Sequence, residues 1–74
     1  MKKYAIRFDY PEATHYVYAG MFKGALGWAA SPSTALIFDS EDEAIRTIEN
    51  GYGPVNQQYA RVIEVIDGHH IGAA

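Results

Sequence analysis

Residues 40–51 read Ser-Glu-Asp-Glu-Ala-Ile-Arg-Thr-Ile-Glu-Asn-Gly and carry the clearest local structural signal in the chain. Ser40 and Glu43 form a capping box, in which each side chain can hydrogen-bond the other residue's backbone amide. Apolar residues then recur at helical spacing, and Gly51 ends the pattern because glycine readily adopts the left-handed conformation that follows many helices. The sequence therefore predicts a helix over residues 41–50, whose single apolar face packs on a sheet.

The segments before this helix predict strands. Tyr4, Ile6 and Phe8 alternate with small or charged residues, which is typical of a half-buried strand over residues 2–8. Residues 14–19 are β-branched and aromatic and follow a proline-containing turn. These two segments together predict an antiparallel hairpin.

The strongest strand pattern follows the helix. Residues 59–66 are apolar on both faces, which favours a central position in the sheet. Short strands are also expected at residues 28–30 and 35–38, and residues 67–74 have too little packing material to stay ordered. The prediction is one α+β domain, residues 1–74: a three- or four-stranded, mainly antiparallel sheet with one helix on one face, in the order β-β-(β)-α-β.

Composition restricts the functional classes. The chain has 74 residues, a formal net charge of −3 and no cysteine, which excludes disulfides and thiolate metal sites. The acidic balance argues against a nucleic-acid partner, since general nucleic-acid binders present a basic face. No run approaches the ~20 apolar residues of a membrane span, so no membrane partner is expected. Arg7 and Asp9 interrupt the apolar stretch that a secretion signal would need.

The residues that could ligate a metal have simpler structural explanations. Asp67, His69 and His70 lie close together, but neighbouring strand residues point to opposite faces, and a third ligand would have to come from the distant His15. The acidic run over residues 39–43 suits the positive end of the helix dipole. No metal site is therefore predicted.

Three glycines give only a loose likeness to a phosphate-binding loop. Gly20, Gly24 and Gly27 surround Lys23, but the Gly-Lys-Ser/Thr ending is missing and no helix signal follows directly. Turn geometry and close packing explain these glycines adequately, so no phosphate-binding role is predicted. The chain also lacks a recognisable arrangement of nucleophile and base. We expect no enzyme activity, no catalytic residue and no cofactor.

Large apolar residues in a predicted loop are the most informative feature. Residues 20–28 contain Met21, Phe22, Leu26 and Trp28, and loops avoid such side chains unless they fold over the core or contact a partner. Both explanations remain open for this segment. Of these residues, Trp28 is the one expected in the core.

Two tyrosines give a second candidate surface. Tyr16 and Tyr18 on an open sheet face could stack on bases or nucleotides, although cross-strand aromatic packing is the simpler explanation. An open sheet face also favours a homodimer, which would support a small core. The residues predicted to bind a partner are Phe22, Leu26, Met21, Trp28, Tyr16 and Tyr18.

The order of several short segments along the chain has a recognisable layout. These segments are Tyr18-Ala19-Gly20, the lone Trp28, Ala35-Leu36-Ile37-Phe38, Ser40-x-x-Glu43-Ala44 and Val62-Ile63-Glu64-Val65. The layout, over about residues 3–66, resembles small uncharacterised accessory proteins of bacteriophages that infect mycobacteria and related hosts. The resemblance implies a protein in the cytoplasm of an infected bacterium that binds a host protein and inhibits host growth or defence.

One specific host partner follows from a short peptide pattern. Residues 34–38, Thr-Ala-Leu-Ile-Phe, are distantly similar to the aliphatic and aromatic peptides that bacterial sliding clamps bind. The leading glutamine of such peptides is missing, and a core strand explains the same residues. The replication clamp is thus one candidate partner among host proteins.

Overall fold

A computed structural model describes residues 2–66 and 70–71 of the chain and shows an antiparallel sheet covered by a helix. The elements, in chain order, are β1 (Lys3–Phe8), β2 (Val17–Phe22), β3 (Ala25–Ala29), a 3-10 turn (Pro32–Thr34), α1 (Glu41–Gly51), α2 (Pro54–Gln57), β4 (Ala60–Ile66) and β5 (His70–Ile71). The sheet has the strand order β3-β2-β1-β4-β5.

The predicted fold class is confirmed, with four main strands and one main helix in the order β-β-β-α-β. β4 lies between β1 and β5, in line with its two apolar faces. The expectation of a frayed tail over residues 67–74 falls mostly outside the described residues. Within that tail, His70–Ile71 pairs with β4 as the two-residue strand β5.

β1 is the middle strand and separates two apolar clusters. It pairs with β4 from Lys3↔Val65 to Phe8↔Ala60. Successive side chains of β1 point to opposite faces of the sheet. Ile6 and Phe8 are fully buried on the helix side, where Ala44 of α1 packs. The main members of the second cluster, on the far side, are Ala5, Tyr18, Ile63 and Val65.

β2 pairs with β1 over only part of its length. The two strands pair at Arg7↔Tyr18 and Phe8↔Val17, after which β2 turns away. Phe38 fills the gap beside Tyr4, with backbone hydrogen bonds of 2.9 and 2.7 Å between the two residues. The strand predicted at residues 35–38 is therefore reduced to a single bridge, because only Phe38 reaches β1.

The predicted capping box of α1 is present in one half only: Ser40 caps the helix, but the Glu43 side chain accepts from the Ser40 hydroxyl and not from the Ser40 backbone amide. The backbone amide of Glu43 donates to the Ser40 hydroxyl oxygen at 3.2 Å, and that hydroxyl donates to the Glu43 carboxylate at 3.4 Å. The helix ends differently from the prediction. Gly51 is itself helical, and Tyr52 continues in an extended conformation with φ −128°. The left-handed role predicted for Gly51 is wrong.

The Leu26 side chain packs against the backbone at the end of α1. A Cβ atom on Gly51 would occupy the position of that side-chain tip, so a larger residue there would turn Leu26 aside. The short helix α2, which begins at Pro54, was not predicted. Proline is in fact well suited to the first position of a new helix, which it occupies in α2.

Candidate protein-binding hairpin

The segment predicted to be a loop is a β-hairpin. β2 and β3 pair from Tyr18↔Ala29 to Phe22↔Ala25. Lys23 and Gly24 connect the strands with φ angles of +52° and +80°, as in a type I′ turn. The loop expectation for residues 20–28 is therefore wrong. A Gly at the second turn position between two apolar runs was the available signal, but Lys is uncommon at the first position.

Three large apolar side chains share the helix-side face of this hairpin. Met21, Leu26 and Trp28 are 51%, 39% and 51% exposed, and we call these three residues the apolar face. The register places Met21 opposite Leu26, with Trp28 next along β3 on the same side. The structure therefore brings together three of the six residues predicted to bind a partner.

Trp28 lies at the rim of the core. One side of its ring packs on Tyr52 and Phe8, at centroid distances of 5.5 and 6.2 Å, while half of the side chain remains exposed. The prediction of a core position for Trp28 is therefore wrong. Among the described residues, β3 is an edge strand, so no further strand of this part of the chain lies beside the ring to complete its burial.

Tyr52 anchors the hairpin to the helical layer. Its hydroxyl donates to the Gly27 carbonyl at 2.6 Å, and its ring packs on Phe8 at 4.9 Å. Gln57 in turn donates to the Tyr52 carbonyl at 2.6 Å. Burial raises the pKa of the Tyr52 phenol above its ordinary value, with a smaller contribution from nearby Tyr10. These contacts hold β3 from the helix side of the sheet and so fix the position of the apolar face.

Phe22 lies apart from the apolar face. It precedes the turn and points to the opposite side of the hairpin, where it is 70% exposed. The Lys23 ammonium lies 5.4 Å from its ring centroid. A partner that contacts both Phe22 and the apolar face would therefore have to wrap around the hairpin tip.

The two candidate tyrosines do not form an exposed pair. Tyr18 is buried in the cluster on the far side of the sheet, and Tyr16 precedes β2. The guanidinium carbon of Arg7 lies 4.1 Å from the Tyr16 ring centroid. The prediction of an open face bearing both rings is wrong, because Tyr18 packs inward and Arg7 covers one side of Tyr16.

Arg7 is a buried side chain whose charge is paired with Asp9. Its Nε and Nη2 atoms donate to the two carboxylate oxygens of Asp9 at 2.6 and 2.9 Å. The hydrogen bond to Asp9 raises the pKa of the Arg7 guanidinium. An open depression beside this pair is lined by residues that include Thr14, His15 and Tyr16. Asp9 belongs to that lining and Arg7 does not, so the Arg7 guanidinium makes no direct contact with the depression.

The other sequence motifs show structural roles. Within residues 2–66 and 70–71, no three His, Asp or Glu side chains lie close enough to hold a metal ion. Asp67 and His69 lie outside the described residues. The three glycines belong to the hairpin, where Gly24 takes the positive φ of the turn and a Cβ on Gly20 would crowd Ala29 at 3.0 Å.

The clamp-like peptide is part of the fold. Phe38 is buried in the helix-side core, and the backbone amide of Leu36 donates to the Ala19 carbonyl at 2.8 Å. Sliding clamps bind such peptides as separate, accessible segments, so residues 34–38 would have to leave the sheet to bind one. The structure does not present this peptide for recognition.

No family model, curated protein or solved structure matches the chain. In the described part of the chain, no helix has the length and apolar character needed to cross a membrane.

Proposed function

We propose that this chain is a non-catalytic binding protein that uses the β2–β3 hairpin to bind and modulate another protein. The observation that carries the proposal is the joint exposure of Met21, Leu26 and Trp28 on one anchored surface. Contiguous apolar patches on small proteins commonly mark interaction sites, whereas isolated exposed apolar residues do not.

The composition of the apolar face suits a protein partner. Tryptophan and methionine are enriched in protein interfaces, and charged residues are depleted at their centres. β3 carries no charged residue, and Lys23 is the single cation within residues 17–29. To bind a nucleic acid, this surface would instead need several cationic side chains that contact the phosphate backbone.

A bacterial host protein is the partner class that we propose. This part of the proposal rests on the resemblance to bacteriophage accessory proteins, which implies action inside an infected cell. Nucleotide or single-stranded nucleic-acid binding is the alternative, but it is weaker because Tyr18 is buried and Tyr16 already stacks on Arg7.

A matched pair of variants tests the hairpin as a binding surface. Leu26 and Ile45 are both 39% exposed, but Ile45 lies on α1 and not on the hairpin. A partner is first captured from bacterial lysate with the wild-type chain, and affinities are then measured with the purified partner. We expect Leu26→Ser to weaken binding about thirtyfold, the effect of losing a 2 kcal/mol interface anchor, and Ile45→Ser to leave it unchanged.

The reverse ranking would assign the site to α1 and contradict the proposal. Equal affinities for wild type, Leu26→Ser and Trp28→Ser would likewise exclude the apolar face as the contact. Circular dichroism of each variant confirms that the compared proteins are folded.

A further inference from the structure

β3 is an edge strand without the features that usually protect such edges. Its five residues, Ala25–Ala29, include no charge and no proline, and its pairing with β2 is continuous, without a bulge. Natural proteins commonly use those features to prevent pairing with another chain. An unprotected edge of this length is therefore available for strand addition.

The turn determines which backbone groups point outward. In a two-residue hairpin, the closing pair, here Phe22 and Ala25, exchanges hydrogen bonds, and bonded and non-bonded pairs then alternate. Leu26 and Trp28 fall in non-bonded pairs, so their amide and carbonyl groups point away from β2. Outside the sheet ladders, no residue within 2–66 and 70–71 forms a backbone hydrogen bond with either of them.

We propose that β3 pairs antiparallel with β3 of a second copy of this chain, about a two-fold axis at Gly27. In this register Leu26 lies opposite Trp28 of the second copy, and Trp28 lies opposite its Leu26. All four are outward-facing residues, so each pair exchanges two backbone hydrogen bonds. The two sheets become one continuous sheet across the dimer.

The side chains of β3 fit this particular register. Gly27 meets Gly27 of the second copy in a non-bonded pair, where Cα atoms approach to about 4.5 Å and side chains crowd most. A Cβ on Gly27 would meet nothing within 4 Å in the single chain, so its own fold does not require glycine there. On the helix side, each half-exposed Trp28 gains an apolar neighbour in Leu26 of the other copy.

Self-complementarity is the reason to assign a second copy as the occupant. A two-fold interface requires one patch to match itself. If one β3 strand shifted by one residue along the other, residues with outward backbone groups would lie opposite residues whose groups point inward. If it shifted by two residues, one outward residue of each strand would lie beyond the end of the other β3 and would have no partner. The central register alone satisfies both outward residues of both strands.

The dimer goes beyond the proposed function and does not depend on it. Met21 and Phe22 lie on β2, one strand away from the dimer axis. They stay exposed when two β3 strands pair, whereas Leu26 and Trp28 contact the second copy and so belong to both proposals. Loss of the dimer without loss of partner binding would therefore separate the two proposals.

Site-directed cross-linking tests the register directly, since the chain has no native cysteine. In the proposed dimer, the residues at position 27 lie within the 4.4–6.8 Å Cα range of disulfides, at about 4.5 Å. Position 22 is the control, because strand spacing and rise place its two copies about 20 Å apart. Under mild oxidation, we expect Gly27→Cys to form a covalent dimer at least about tenfold faster than Phe22→Cys, and the two rates to become equal in denaturant.

A second experiment measures the dimer without oxidation. Gly27→Lys and Gly53→Lys add the same charge at positions where a Cβ meets nothing within 4 Å, but only position 27 lies at the proposed axis. In sedimentation equilibrium we expect the wild type and Gly53→Lys to dimerise and Gly27→Lys to weaken dimerisation about tenfold or more, since like charges lie directly opposite. A monomeric wild type up to millimolar concentration, or equal cross-linking rates for the two cysteine variants in native buffer, would overturn the proposal.

Discussion

β1 and β4, together with the helix α1 that covers them, form what we call the β1–β4–α1 layer. The β2–β3 hairpin continues the same sheet but is less buried than this layer. β1 is paired on both sides, and its buried residues Ile6 and Phe8 lie under α1. The hairpin is paired on one side only, and Met21, Leu26 and Trp28 remain partly exposed. Large apolar residues therefore stabilise the fold in one region and stay partly exposed in the other. The position of a strand in the sheet decides between these outcomes.

Truncation of the most buried aromatic residue gives the largest expected effect. Phe8 is fully buried and packs on Tyr10, Trp28 and Tyr52. We expect Phe8→Ala to cost about 3–5 kcal/mol of unfolding free energy, because it leaves a cavity under α1. Urea denaturation followed by circular dichroism measures this loss. A cost below about 1 kcal/mol would show that the β1–β4–α1 layer does not dominate stability.

The cap of α1 gives an intermediate effect. Ser40→Ala removes the acceptor for the Glu43 amide and should cost about 0.5–2 kcal/mol. In a domain of this size, a loss of 1 kcal/mol lowers the melting temperature by about 4–8 °C. Ser40→Asp, which keeps a good capping acceptor, serves as the control and should melt near the wild-type temperature. An unchanged melting temperature for Ser40→Ala would rule out a capping role.

The contact between the two regions can be tested through Tyr52. Tyr52→Phe removes the hydrogen bond to the Gly27 carbonyl and should cost about 0.5–1.5 kcal/mol. Folding raises the pKa of Tyr52, so the unfolded chain loses the Tyr52 proton at a lower pH than the folded protein does. The contribution of Tyr52 to the unfolding free energy is therefore complete below the ordinary tyrosine pKa of about 10, and it is lost as the pH rises through the higher folded value.

Denaturation midpoints between pH 8 and 11 measure this dependence. The wild type should lose stability above about pH 10 more steeply than Tyr52→Phe, which cannot ionise at this position. Identical slopes for the two proteins would show that Tyr52 titrates equally in the folded and unfolded states. In that case the burial of Tyr52 would not link the hairpin to the helical layer.

Truncation at the hairpin tip gives the smallest expected effect on stability. Phe22 is 70% exposed, so Phe22→Ala should change the unfolding free energy by less than about 0.5 kcal/mol. Measured beside Phe8→Ala in the same urea titrations, it gives the contrast between the two regions. A loss of 2 kcal/mol or more at Phe22 would mean that the tip packs on the fold and is not a free contact surface.

Local patterns determined α1, β1 and β4. The capping box at Ser40 and the apolar spacing after it predict α1 to within one residue, period-two alternation predicts β1, and strand-forming apolar residues on both faces predict β4. Each of these signals compares residues only a few positions apart, so the sequence contains all the information that they need. Met21, Phe22 and Leu26 were also predicted as partner-binding residues from their size alone, and that role stays a prediction.

Tertiary packing decided how those residues are used. Trp28 is half exposed because β3 ends the sheet, Tyr18 is buried because the far side has its own cluster, and Gly51 is covered by Leu26 from a distant strand. Each of these outcomes depends on which segment lies beside which, over separations of more than twenty residues for Leu26 and Gly51. Composition and short-range periodicity contain no information on strand order, so the sequence determined α1, β1 and β4, and only the assembled sheet determined its edge.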